Sequence, residues 1–128
     1  MATRVLAVDD HAMIREGLRF LCSRQPDLEL VGEAANGLEA LEVYEQLRPD
    51  VVIMDLDMPV MDGIKATAEL LARHPGARVL ALSMHADPCY VALMREAGAL
   101  GYMLKEEASE SLASAVRSVL AGKTAFPA

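Results

Sequence analysis

No run in this chain approaches the ~18 consecutive apolar residues that a membrane-spanning helix needs. The opening Met1-Ala2-Thr3-Arg4 leads straight into a strand-like segment and carries no apolar leader core. Cysteine is scarce. Cys22 and Cys89 are the only two and lack Cys-x-x-Cys spacing, which predicts reduced, buried, cytosolic thiols and argues against a disulfide framework or a cysteine metal site. The predicted compartment is therefore the cytoplasm. Basic residues are outnumbered, with 12 Lys and Arg against 19 Asp and Glu, a net charge of −7. A chain this acidic is poorly suited to grip a phosphate backbone by itself, and most of its excess charge serves solubility. Repeats, low-complexity tracts and internal linkers are also missing. What is present is apolar: 53% of 128 residues, which argues against disorder and for one domain. A chain of this size buries roughly two-thirds of the surface it exposes when unfolded, enough for a substantial core.

Apolar runs rich in β-branched residues alternate with segments of helical period, the pattern of a parallel sheet covered on both faces. Strands are predicted at roughly 4–9, 28–34, 51–55, 78–83 and 100–104. The first intervening helix carries Met13, Ile14, Gly17, Leu18 and Leu21 on one face, and the second Leu38, Leu41, Val43 and Leu47. A third opens at Asp62-Gly63 and stops at His74-Pro75-Gly76. Asp87-Pro88 fits an N-cap with proline at the first helical position, opening a fourth that runs to about Gly98. The last begins at Ser109 and ends at Gly122. Residues 1–122 form the predicted domain; 123–128 look like the start of a linker or a C-terminal tail.

The informative residues stand where the strands stop. Val5-Leu6-Ala7-Val8 runs into Asp9-Asp10, Val51-Val52-Ile53-Met54 into Asp55, Val79-Leu80-Ala81-Leu82 into Ser83, and Tyr102-Met103-Leu104 into Lys105. In open parallel sheets, ligands bind outside the carboxyl ends of the strands. Any one aspartate is accounted for by capping the next helix, but the set is not. Two carboxylates about 5 Å apart repel by roughly 3 kcal/mol at an effective dielectric of about 20, and three such pairs by roughly 10. That rivals the stability of a whole domain, so positive charge is required. Lys105 supplies one unit, and a magnesium ion would supply two. Asp10 and Asp55 suit direct ligation, with Asp9 acting on a metal-bound water. A carboxylate is also a nucleophile toward phosphorus, and a metal and Lys105 would offset charge on the transferring oxygens.

With Asp9-Asp10, Asp55 followed by Met58-Pro59 and Asp62-Gly63, Ser83, and Tyr102 with Lys105, the chain resembles bacterial response regulator receiver domains over nearly its whole length. The resemblance implies an α/β, flavodoxin-like (CheY-like) (βα)5 fold, doubly wound, with parallel strands in the order 2-1-3-4-5. It implies that Asp55 is the phosphoacceptor, served by a sensor histidine kinase or a small donor such as acetyl phosphate. Asp9, Asp10, Asp55 and the backbone carbonyl of Asp57 would hold Mg2+. Ser83 and Lys105 would bind phosphoryl oxygens. Tyr102 matches the family's switch aromatic, turning inward as Ser83 moves in a two-state population shift. No enzymatic turnover is implied beyond self-phosphorylation and autodephosphorylation. Val8-Asp9-Asp10-His11 with Met13, Arg15-Glu16-Gly17-Leu18, and Lys105-Glu106 are similar to the NarL/LuxR-type subgroup. That subgroup implies transcriptional control through a DNA-binding helix-turn-helix domain absent from this chain, which would then be an excised receiver; a stand-alone single-domain receiver is the alternative. A homodimer through the first or last helix fits as well.

Some features depart from this pattern. Many receivers follow the lysine with a cis proline; Glu106 stands here, which leaves the isomer of the Lys105–Glu106 bond open. Asp57 and His85, two residues after Asp55 and Ser83, are placed to influence an attacking water and set phosphoryl lifetime. His11 and His74 read as surface or capping residues, and the eight methionines as core filler. Asp55-Leu56-Asp57 also has the D-x-D core of haloacid-dehalogenase-like phosphatases, but Pro59 stands where Thr or Val is usual, and Asp9-Asp10 has no place in that motif.

Overall fold

Two strands of this chain, Val51–Asp55 and Val79–Ser83, are buried at every position. A strand with both faces covered must read as a continuous apolar run, and these two do. The computed structural model describes residues 2–127. Its strands are β1 (Thr3–Val8), β2 (Leu28–Ala34), β3 (Val51–Asp55), β4 (Val79–Ser83) and β5 (Gly101–Leu104), and its helices α1 (Ala12–Ser23), α2 (Gly37–Leu47), α3 (Gly63–Arg73), α4 (Pro88–Ala97) and α5 (Ala108–Leu120). The strands pair in parallel in the order β2-β1-β3-β4-β5, the order that the receiver resemblance implies. Side chains alternate across the sheet. Val5, Ala7, Ile53 and Leu82 pack with Leu18 of α1 and Leu112 and Val116 of α5, while Leu6, Val8, Val52 and Met54 pack with Leu41, Leu70 and Met94 of α2, α3 and α4. The strand order reverses between β1 and β3, so the crevice at this switch point opens where Asp9, Asp10 and Asp55 lie.

Local chemistry fixes the helix starts. The side chains of Asn36, Asp62 and Asp87 each accept a backbone N–H of the first turn, from Glu39, Lys65 and Cys89, at 2.8 Å. Helix α1 differs: its N-cap is His11, whose side chain makes no capping bond, so Asp9 and Asp10 are not spent on capping. At Gly63 a Cβ would sit 1.9 Å from the Asp55 carbonyl oxygen; only glycine lets α3 start this close to the end of β3.

Some expectations are corrected. Strand β5 starts at Gly101, and one turn of 3-10 helix, Lys105–Glu107, precedes α5, which begins at Ala108. Leu104 N–H donates to the Glu107 carboxylate, which stabilises that turn. Cys22 is buried but Cys89 is exposed, since it sits in the outward first turn of α4. Met54, Met94 and Met103 fill the core, yet Met13 and Met84 are 83% and 78% exposed. Among the described residues no peptide bond is cis, so the Lys105–Glu106 bond is trans. No helix among them is long and apolar enough to cross a membrane.

The tail is docked. Ala125 N–H donates to the Leu100 carbonyl (2.9 Å), and Tyr102 N–H donates to the Ala125 carbonyl (3.0 Å). These bonds cover the otherwise open edge of β5. The Arg95 guanidinium lies 4.0 Å from the centre of the Phe126 ring, a cation–π contact that holds the segment against α4. The segment expected to be the start of a linker or a C-terminal tail is therefore held on the domain at Ala125 and Phe126; Ala128 lies outside the described residues.

Candidate functional site

The ends of β1, β3 and β5 bring Asp9, Asp55 and Lys105 together. The Lys105 Nζ lies 2.8 Å from Asp9 Oδ2 and 3.3 Å from Asp55 Oδ1. Asp9 and Asp55 are 1% and 4% exposed. Asp9 Oδ1 accepts the backbone N–H of His11 at 2.8 Å. Asp9 Oδ2, although close to the ammonium, has no donor aligned on it. Asp10, beside it, is more open to solvent. The loop that leaves β3 is tight: Met61 N–H donates to the Pro59 carbonyl at 2.7 Å, and Val60 between them has φ 69°. A β-branched residue in that region is strained by about 1–3 kcal/mol.

These charges act on each other. Burial, and after it the charge of Asp9, pushes the Asp55 carboxyl up to about 6, against the pull of Lys105. Burial alone would lower the Lys105 ammonium, but its close contact with Asp9 and the charge of Asp55 outweigh it and the net direction is up. One cation thus serves two buried carboxylates, and the cluster remains short of positive charge.

Ser83 ends β4 and is 1% exposed, with its hydroxyl accepting the His85 N–H at 3.0 Å. Tyr102 is 3% exposed, so its ring is already inward; its hydroxyl donates to the His85 carbonyl at 2.6 Å. The His85 imidazole bonds the Asp57 carboxylate and stacks on Tyr90 with ring centres 4.3 Å apart. His85 therefore joins Ser83, Tyr102 and Asp57. The Asp57 side chain itself is 71% exposed and turned to the surface.

Two residues of this neighbourhood are under-read in the sequence. His11, expected to be a mere surface or capping residue, lies with Nδ1 3.2 Å from carboxylate oxygens of both Asp9 and Asp10. His11 is exposed and is the N-cap of α1, and in addition Asp9, Asp10 and His11 each offer a ligand atom within 4.8 Å of one another. The signal was present in the Asp-Asp-His run. Arg15, about one helical turn beyond His11, donates to the Asp9 carbonyl at 2.6 Å. His74 does lie away from the site, bonded to Glu45 and packed on Tyr44.

The family model for the response regulator receiver domain matches residues 5–117. The chain belongs to this family. Among curated relatives of the receiver, the transcriptional regulatory protein DegU of Brevibacillus brevis is 39% identical over 119 residues, covering 93% of this chain and 50% of that protein. The transcriptional regulatory protein LiaR of Bacillus subtilis is 40% identical over 120 residues, covering 94% and 57%. The receiver thus spans about half the length of these relatives. Of solved structures, a LuxR-family two-component response regulator from Aurantimonas sp. superposes with a TM-score of 0.93 at 38% identity, covering 98% of this chain and 89% of that one. The response regulator domain of Thermotoga maritima CheB gives 0.87 at 30% identity, covering 94% and 98%. The receiver is that of a two-component response regulator of the LuxR family.

Its stability must depend on pH through Asp55. The folded value, about 6, lies above the unfolded value of 3.8. The folded state therefore holds the proton more tightly between them, and stability falls as pH rises through that window. Asp55→Asn removes this penalty. By chemical denaturation without divalent cations, the variant should be more stable than the wild type near neutral pH by up to about 3 kcal/mol. The gap should close by about pH 4. A gap that is absent, or that grows on acidification, contradicts the electrostatic picture.

Proposed function

We propose that this receiver is the phosphoacceptor of a two-component pathway in the cytoplasm, and that Asp55 is the accepting residue. A carboxylate oxygen of Asp55 attacks phosphorus, and the bond from phosphorus to a donor breaks. That donor is the imidazole of a sensor histidine kinase, or the acetate of acetyl phosphate. The observation that carries the assignment is the convergence of Asp9 and Asp55 on Lys105 at the carboxyl ends of three strands. The domain acts as an acceptor that self-phosphorylates and autodephosphorylates, not as a turnover enzyme.

The residues suit a hard divalent cation. The donors are carboxylate oxygens, one of which is buried with no aligned donor, and the cluster lacks positive charge. Asp9, Asp10 and Asp55 with the backbone carbonyl of Asp57 would hold Mg2+, which when bound supplies positive charge to the phosphoryl oxygens. Lys105 offsets charge on one such oxygen and Ser83 donates to another. The Ser83 hydroxyl can donate to that oxygen while it accepts the His85 N–H, and the His85 carbonyl holds the Tyr102 hydroxyl, so a shift of Ser83 toward the phosphoryl group is passed to the switch through His85. A shift of the population from 1:99 to 99:1 needs about 5.5 kcal/mol, within reach of a few charge-assisted hydrogen bonds at about 1.5–3 kcal/mol each.

The output proposed for the whole protein is control of transcription through a DNA-binding helix-turn-helix domain outside these 128 residues, in keeping with the transcriptional regulators it resembles. A homodimer would use α1, which exposes Met13 and Phe20. The phosphatase alternative finds no support at Asp57, whose carboxylate is exposed and tied to His85.

Acetyl phosphate with Mg2+ should label the wild type, seen as a mass shift or retarded Phos-tag migration, and chelation should prevent it. Asp55→Asn should remain unlabelled; undiminished labelling would exclude Asp55. Loss of the Asp57–His85 pair, in Asp57→Asn or His85→Ala, should lengthen the phosphoryl lifetime several-fold by disordering the attacking water. Lifetimes equal to wild type in both variants would remove that role.

A further inference from the structure

Arg15 is on α1, and its side chain is only 19% exposed. Its Nη1 donates to the Asp9 carbonyl oxygen at 2.6 Å and its Nε to Glu33 Oε1 at 3.0 Å. The other Glu33 oxygen bonds Arg19, one turn further along α1. Glu33 stands on β2, and the next residue, Ala34, accepts the Asp9 backbone N–H at 3.0 Å. The Asp9 main chain is therefore held on one side by β2 and on the other by a guanidinium braced against β2. From that fixed backbone the Asp9 carboxylate divides its oxygens between His11 and Lys105. Arg15 makes no contact with any carboxylate of the cluster; its negative partner is Glu33.

We propose that Arg15 is a positioning residue for the divalent-cation site, acting through the backbone of Asp9. This rests on the metal-dependent phosphoacceptor assignment above. Groups that hold metal ligands in place commonly matter to affinity as much as some ligands do. A planar fork is suited to the task because it grips two acceptors at once in fixed geometry, which an ammonium cannot do.

The alternative, that Arg15 is only a nearby positive charge, predicts the opposite sign. Removing a positive charge from beside a cation site strengthens cation binding, whereas removing a brace weakens it. The test is isothermal titration of Mg2+ into the metal-free full chain for wild type, Arg15→Gln, Arg15→Lys, Glu33→Gln and the Arg15→Gln/Glu33→Gln pair, with thermal melts as the folding control. Arg15→Gln should bind Mg2+ roughly tenfold more weakly, the lower end of what loss of an outer-shell partner costs. Arg15→Lys, which keeps the charge but not the fork, should also weaken binding. The double variant should be no weaker than Arg15→Gln alone, because Glu33 acts through the same contact. Equal or tighter binding by Arg15→Gln, or wild-type affinity in Arg15→Lys, would overturn the proposal. Should Arg15→Gln not fold, Arg15→Lys carries the same decision. A wild type that fails to bind Mg2+ would instead overturn the metal assignment itself, a result distinct from variants that match a binding wild type.

Discussion

Two buried carboxylates share a single ammonium, and the site depends on that imbalance. Asp9 and Asp55 come from neighbouring strands and meet Lys105 from the edge of the sheet. Burying one carboxylate without a full partner is costly, and a second beside it adds repulsion. The chain tolerates this because the apolar sheet beneath is packed on both faces and fixes the strand ends. The cost appears as a reluctance of Asp55 to ionise. Positive charge brought to the cluster would relieve the same reluctance, which is the physical basis of the proposed cation site.

The environment around this centre sorts its neighbours by role. Arg15 and Glu33 lie behind Asp9 and hold main chain. Ser83, His85 and Tyr102 lie on the other side and form a connected path from the end of β4 to β5. The path continues past the phenol, since the Tyr102 N–H holds Ala125 and thus the docked tail. Tyr102 thus touches both the Ser83–His85 network and the docked C-terminal segment. A tight, strained turn at Val60 and a glycine at Gly63 let α3 start directly against the end of β3, beside the Asp55 carbonyl.

Much of this is legible in the chain. Strands buried on both faces must be uniformly apolar, so the acidic residues that end them stand out, and Asp9, Asp10, Asp55, Ser83 and Lys105 fall at the ends of predicted strands. Asp62 and Asp87 cap their helices as their spacing suggests. What escapes the sequence depends on side-chain reach and on contacts between distant segments. Arg15 shows only as part of a subgroup pattern, because its partners are a backbone carbonyl and a residue on another strand. His11 follows two aspartates, and its imidazole makes no capping bond but turns back to both of them, an orientation that the sequence does not display. The tail carries no strand pattern, and its pairing arises from the open edge of β5. Cys89 is apolar by type, yet α4 turns it outward.

The most direct test is a pH titration of the Asp55 side-chain carboxyl followed by carbon NMR, with and without Mg2+. The account predicts a midpoint near 6 in the metal-free protein and a lower midpoint when Mg2+ is present. A midpoint at the ordinary aspartate value of about 3.9, unmoved by the metal, would contradict it.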